Sequence, residues 1–214
     1  MAELRQFVVS PFQTNCYAVI SNDHCMVVDP GDQGARIAQE LKDVKVDLIV
    51  CTHGHNDHVS GVRALKEATG ARFMMPEADY VWAKEHSGKV DGSGMAYGEQ
   101  IPDADELLHD GDTWKLDELS FEAIAAPGHT PGGMVLLGEG FAFVGDTLFH
   151  LSCGRTDLPG GSHAELMETL AKLKRRIPAS CTLFCGHGLE TTMAEELAHN
   201  PWLQDGEHAS DGMH

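Results

Sequence analysis

Three histidines and an aspartate, His53, His55, Asp57 and His58, stand within six positions directly after the apolar run 46–51. That run reads as a buried strand, and the segment Thr52-His53-Gly54-His55-Asn56-Asp57-His58 then leads into a helix. In an extended turn alternate residues project to the same side. His53 and His55 can therefore grip one cation, while Asp57 and His58, entering the helix, turn toward a neighbouring one. Gly54 supplies the small residue such a tight loop needs. With no cation to neutralise and orient them, three imidazoles and a carboxylate at this density would frustrate one another, which makes a purely structural origin a poor explanation. The chain must fold so that a strand end opens onto this cluster.

The remaining pattern shows what can build such a strand end. Short apolar runs at 7–9, 17–20, 26–28, 46–50 and 71–74 predict strands. Between them 35–44 places Ile37, Ala38 and Leu41 on one helical face, and 59–68 does the same with Val62 and Leu65. The Gly- and Asp-rich stretch 86–112 reads as a long exposed loop, followed by strands at 114–116, 119–125, 134–137 and 141–144. Ser162 and Glu165 have capping-box spacing ahead of a face made by Leu166, Leu170 and Leu173. Thr192 and Glu195 repeat that signal before a helix that Asn200-Pro201 should stop. A strand-then-helix order appearing twice predicts an α/β chain of two similar halves, packed sheet against sheet with helices outside. The expected organisation is one domain over 1–203 and a flexible polar tail over 204–214.

Charge narrows the partners. The 214 residues carry 33 acidic against 15 basic side chains, a formal net charge of -18, so the long-range field repels nucleic-acid phosphates and anionic membrane surfaces. No uninterrupted apolar stretch approaches the roughly 20 residues of a membrane helix. The first ten residues lack the apolar core of a signal peptide. The six cysteines show no framework spacing, which predicts reduced thiols and a cytoplasmic protein, with Cys181 and Cys185 as buried strand residues. His24, His86, His109, His150, His163, His199, His208 and His214 are read as ordinary surface or core histidines.

Three further sites share one design, a strand ending in a glycine-bounded ligand: Pro127-Gly128-His129-Thr130-Pro131-Gly132, Gly145-Asp146-Thr147 and Gly186-His187-Gly188. With His-x-His-x-Asp-His they make the chain resemble the metallo-β-lactamase superfamily, nearest its glyoxalase II group. It is most similar to the short single-domain bacterial glyoxalase II-like hydrolases, through Gly154-Arg155-Thr156-Asp157-Leu158-Pro159-Gly160-Gly161 and Asn200-Pro201, and the resemblance spans about 12–202. It implies an αββα four-layer sandwich, with two mixed sheets face to face, helices outside and metals at one sheet edge. By that match His53, His55 and His129 would hold a first ion, Asp57, His58 and His187 a second, and Asp146 would bridge them. Asp29, in Val28-Asp29-Pro30-Gly31, would orient the histidine loop, its rival reading being a plain turn aspartate.

A histidine and carboxylate donor set without cysteine suits two divalent ions, zinc foremost, with iron and manganese also accommodated. Two such ions roughly 3.5 to 4 Å apart share a water and lower its pKa from ~15.7 toward neutrality, which provides a hydroxide nucleophile beside the catalytic carboxylates Asp57 and Asp146. A thiol leaves readily as thiolate, with a free pKa near ~8.5, whereas an amine must be protonated as it departs. With every acidic group of the core pattern committed to metal, a small-molecule thioester is the easier substrate. The resemblance implies an S-2-hydroxyacylglutathione such as S-lactoylglutathione. The longer enzymes of that group hold the glutathione carboxylates with a basic C-terminal extension, yet no Lys or Arg follows Arg176 here. Arg155 or Lys89 would have to serve as the anion contact. Two other enzymes fit less well: a persulfide dioxygenase using one iron on His53, His129 and Asp146, suggested by Cys153-Gly154-Arg155-Thr156-Asp157, and a lactonase. A binding protein with a fossil site is the non-enzymatic rival. Oligomeric state is not encoded in any pattern found.

Overall fold

A computed structural model describes residues 2–89 and 99–204. Six strands form the first sheet in sequence order: β1 (Glu3–Val9), β2 (Thr14–Ser21), β3 (His24–Val28), β4 (Lys45–Val50), β5 (Arg72–Pro76) and β6 (Glu106–Leu108). β1, β2 and β3 are antiparallel neighbours, and β3 to β6 run parallel. The second sheet, also six-stranded, takes β7 (Thr113–Leu116), β8 (Leu119–Ala125), β9 (Met134–Leu137), β10 (Phe141–Gly145), β13 (Thr182–Cys185) and β14 (Thr191–Thr192). Its order is β14-β13-β10-β9-β8-β7, with β10 and β13 parallel and the other pairs antiparallel. A short hairpin, β11 (Leu148–Phe149) with β12 (Ser152–Cys153), follows β10.

The central strands are apolar on both faces because both faces are covered. Along β2, Tyr17 and Val19 point at the other sheet, where they meet Phe121, Ala123, Leu136 and Phe143. The alternate residues Cys16, Ala18 and Ile20 point outward, into a core shared with Ile37, Val62, Leu65 and Ala83. Those four come from α1 (Gly34–Glu40), α3 (Val62–Thr69) and α4 (Glu77–His86). The outer face of the second sheet packs against Leu166, Leu170 and Leu173 of α5 (His163–Arg176) and Met193 of α6 (Met193–His199). Helix, sheet, sheet and helix thus form the expected four layers, with an apolar seam between each pair.

Local chemistry sets the helix ends. Ser162 Oγ accepts the backbone N–H of Glu165 at 3.3 Å, and Thr192 Oγ1 does the same for Glu195 at 3.2 Å. In α5 Glu165 lies in the first turn and Lys174, Arg175 and Arg176 in the last, as the helix dipole favours. Ser162→Ala should therefore cost about 0.5–2 kcal/mol, read as a lower urea midpoint with an unchanged slope.

The structure corrects several expectations. The stretch 86–112 is not one exposed loop. Ile101 is fully buried, and Glu106–Leu108 is the sixth strand of the first sheet, paired with β5. Residues 90–98 of that stretch lie outside the described residues, as do His208, His214 and the tail from 205 onward. Gln204, expected in the frayed tail, donates to the carbonyls of Leu197 and Asn200, both at 3.1 Å. The helix expected over 35–44 ends at Glu40, and that over 59–68 is two pieces, α2 (Asn56–Val59) and α3. Helix α4 had no counterpart in the periodicity. No helix among the described residues is long and apolar enough to cross a membrane.

Candidate metal centre

The site forms where strand ends of both sheets meet. β4 stops at Val50, and residues 52–55 bend and lead through an extended His55 into α2, which carries Asp57 and His58. From the second sheet, the β8–β9 connection brings His129, the end of β10 brings Asp146, and the residues after β13 bring His187. All seven side chains fall into three overlapping groups, His53 with His55 and His129, His53 with His58 and Asp146, and Asp57 with His58 and His187. Within each group the ligand atoms lie within 4.8 Å of one another. Gly186 is required here, since a Cβ on it would stand 2.2 Å from Asp146 Oδ1 and 2.8 Å from His58 Cε1.

Hydrogen bonds behind the rings aim their nitrogens inward. Asp29, buried at the end of β3, accepts Thr52 N–H at 2.7 Å through Oδ1. Its Oδ2 accepts the Thr52 hydroxyl at 2.7 Å and His58 Nδ1–H at 3.0 Å. Thr52 Oγ1, having spent its proton on Asp29, accepts His53 Nδ1–H at 3.1 Å. His129 Nδ1–H donates to the Arg155 carbonyl at 2.8 Å and His187 Nδ1–H to the Phe12 carbonyl at 3.1 Å. Each partner fixes a tautomer whose Nε2 faces the cluster. His55 presents Nδ1 instead, 2.9 Å from His129 Nε2.

The inward atoms stand at the spacing of shared-ion ligands, and two of them have no hydrogen-bond partner. Asp146 Oδ1 is 3.4 Å from His58 Nε2, and its Oδ2 is 3.4 Å from His187 Nε2 and 3.5 Å from His129 Nε2. His187 Nε2 is 3.2 Å from Asp57 Oδ2. Donors at about 2.1 Å from one tetrahedral ion stand about 3.4 Å apart, so these spacings suit ligands of a shared ion. His53 Nε2 and Asp146 Oδ1 are buried with no hydrogen-bond partner, an arrangement costly without an ion. The donor set therefore fits divalent metal.

Electrostatics divide the cluster. Burial and the neighbouring His58 hold His53 well below the usual imidazole range, and burial with the His129 ring brings His55 down to about 4. These two rings are neutral lone-pair donors. Burial opposes charge on His58 and His187, yet Asp146 and Asp57 outweigh it, raising His58 well above its ordinary value and His187 to about 9. Burial likewise opposes ionisation of Asp57, but His58 and His187 hold it at about 2, and Asp146 lies well below the usual carboxylate range for the same reason. An ion entering the Asp57, His58 and His187 group displaces protons from the imidazoles.

A model of the metallo-β-lactamase superfamily matches residues 9–187. The chain belongs to this superfamily. It is 30% identical over 209 residues to the hydroxyacylglutathione hydrolase GloC of Haemophilus influenzae, covering 91% of this chain and 95% of that protein. Among solved structures, the B3 metallo-β-lactamase BLEG-1 aligns with a TM-score of 0.86 at 29% identity, over 94% of this chain and 99% of that one. The di-iron-bound form of TTHA1623 aligns with a TM-score of 0.84 at 28% identity, over 93% of this chain and all (100%) of that one. The superfamily binds metal ions, and the cluster above is the one place among the described residues where His and Asp side chains gather to that density.

Residues outside the sequence patterns also build the site. Thr14 Oγ1–H donates to Asp57 Oδ2 at 2.9 Å, and Asn15 Nδ2 donates to the Cys185 and Gly188 carbonyls, both at 3.0 Å, so the start of β2 braces the His187 loop. Trp82 of α4 meets the His55 ring edge-on at 5.6 Å. A lone Thr or Asn at a strand start, or one Trp in a helix, carries no spacing by which to read it. The Arg155 guanidinium is exposed and forms a bidentate pair with Asp157, both bonds 2.6 Å. Lys89 is exposed beyond α4. Since Arg155 touches His129 through its carbonyl, Arg155→Ala should leave metal content intact and shift KM for an anionic thioester by less than about threefold. Asp157→Ala, which frees the guanidinium, should lower that KM.

Proposed function

We propose that this chain is a metal-dependent hydrolase of small-molecule thioesters such as S-2-hydroxyacylglutathiones. The observation that carries this reading is the absence of a spare acid: among the described residues, the buried carboxylates at the site already have partners. Asp29 accepts three hydrogen bonds, Asp57 faces Thr14 and His187, and Asp146 faces His58, His129 and His187. No buried carboxylic acid is left to protonate a departing amine, whereas a thiolate needs none. The name of the Haemophilus relative supports the same substrate class, and that of the B3 enzyme supports an amide; the committed carboxylates favour the thioester.

When bound, two divalent ions would supply Lewis acidity toward the thioester carbonyl and a water acidified toward neutral pH. His53, His55 and His129 would hold one ion and Asp57, His58 and His187 the other, with Asp146 placed to contact both. Zinc suits this donor set, and so do iron and manganese. Asp29 and the carbonyls of Arg155 and Phe12 keep the imidazoles oriented, so little reorganisation accompanies the reaction.

The test is elemental analysis of the purified protein, coupled to a panel of S-lactoylglutathione, an acyl-homoserine lactone, a cephalosporin, and glutathione persulfide in an oxygen electrode. About two ions per chain and a kcat/KM for the thioester at least about 100-fold above lactone and lactam are expected. One iron per chain with oxygen consumed on persulfide would replace this reading with a dioxygenase, and preferred lactone turnover with a lactonase.

A further inference from the structure

We infer that Asp79 is a positioning residue of the metal centre, one carboxylate that sets the distance between the two backbone arms carrying His53, His55 and His129. The inference rests on the reading of that cluster as a metal site.

Asp79 lies in the first turn of α4 and is 3% exposed. Its Oδ2 accepts the backbone N–H of Gly54 at 2.9 Å and its Oδ1 that of Gly132 at 2.6 Å. Gly54 separates His53 from His55, and Gly132 follows His129 by three residues. One arm leaves the first sheet after β4 and the other links β8 to β9 of the second sheet, so this side chain joins loops that share no sheet, beside the backbone bond from Met134 N–H to the Thr52 carbonyl at 2.9 Å. The imidazoles on those arms form one complete ligand group.

Both glycines are shaped to this carboxylate. A Cβ on Gly54 would sit 3.0 Å from Asp79 Cβ and 3.2 Å from Ala83 Cβ. A Cβ on Gly132 would sit 2.6 Å from Asp79 N and from its Oδ1. The helix thus approaches the arms as closely as backbone allows. The two N–H donors face different oxygens, Oδ2 and Oδ1, and an amide keeps an oxygen at only one of those positions. In Asp79→Asn the side-chain NH2 must face a backbone N–H, which forces one arm away. A buried carboxylate with no cationic side chain among its hydrogen-bond partners also favours positive charge nearby, which a divalent ion within the three-histidine group provides. By linkage, whatever the ion gains from Asp79 the Asp79 contact gains from the ion.

The experiment compares wild type, Asp79→Asn and Leu173→Ala, a core change in α5 that lowers the melting temperature without touching the site. Chelator-competition titration with zinc and cobalt absorption spectra are read on each. Asp79→Asn should weaken the ion at His53, His55 and His129 by about 10–100-fold and alter its cobalt spectrum. The ion at Asp57, His58 and His187 should change by less than about threefold. A merely structural role predicts that both ions weaken together, as in Leu173→Ala, and that result, or wild-type affinities in Asp79→Asn, overturns the inference. If Asp79→Asn does not fold, amide exchange of the wild type decides. Gly54 and Gly132 N–H should be as protected as helix amides without metal and more so with it, and free exchange at both overturns the proposal. Wild-type protein that takes up no ion defeats the metal-centre reading and this inference with it. Normal wild-type uptake with an unaffected Asp79→Asn defeats only the latter.

Discussion

Asp146→Ala should abolish thioester hydrolysis, by on the order of 10³-fold or more, and lower bound metal from two ions per chain to one or none. Among the seven cluster side chains it faces both halves of the site: Oδ1 approaches His58, and Oδ2 approaches both His129 and His187. In the proposed two-ion site, removing it would strip an anion from between two cations, where several kcal/mol of interaction would be concentrated, and 1.36 kcal/mol is a factor of ten in rate. The fold should survive, since the side chain is not part of the apolar seams, and β10 is held by β9 and β13. Elemental analysis and S-lactoylglutathione turnover on the same preparation make the measurement. A variant that keeps two ions and wild-type turnover would mean that this carboxylate is a bystander.

The seven side chains that the structure clusters were legible because each sits at a fixed short spacing at a strand end. His53, His55, Asp57 and His58 announce themselves by density, and His129, Asp146 and His187 by glycines flanking a ligand after an apolar run. The four layers were legible because strand segments buried on both faces read as continuous apolar runs, as 16–20 of β2 and 48–50 of β4 do. Helix α4 was not. Its buried positions are Asp79 and Ala83, small and polar because the helix packs on glycine loops as well as on the sheet, so no apolar stripe marks it. β6 has three residues and one neighbour, too little for a periodicity. Thr14, Asn15 and Asp79 act through backbone and carboxylate partners 43 to 173 and 25 to 53 positions away, a separation no local pattern encodes.

Asp29 separates two readings that the sequence left balanced, a turn aspartate or an organiser of the histidine loop, and its removal should be the most destabilising single change at the site. It is 2% exposed and occupies a left-handed backbone conformation, φ 51°, that a turn aspartate tolerates well. A turn residue would spend its side chain locally. This one instead accepts Thr52 N–H, the Thr52 hydroxyl and His58 Nδ1–H, 23 and 29 positions away. Asp29→Ala strands all three donors in a buried pocket and leaves the His58 ring without the counter-charge that helps hold it protonated. Breaking a buried charged contact of this kind costs about 3–5 kcal/mol. Urea unfolding of the metal-free variant should show that loss with an unchanged slope, and zinc affinity should fall with it because His53 and His58 lose their orienting partners. Asp29→Asn should recover part of the stability through Thr52 N–H alone, since its amide NH2 meets the other two donors. A loss below about 1 kcal/mol in Asp29→Ala would return the residue to the turn reading and leave the orientation of His58 to its ring packing against His53, 4.1 Å between centroids.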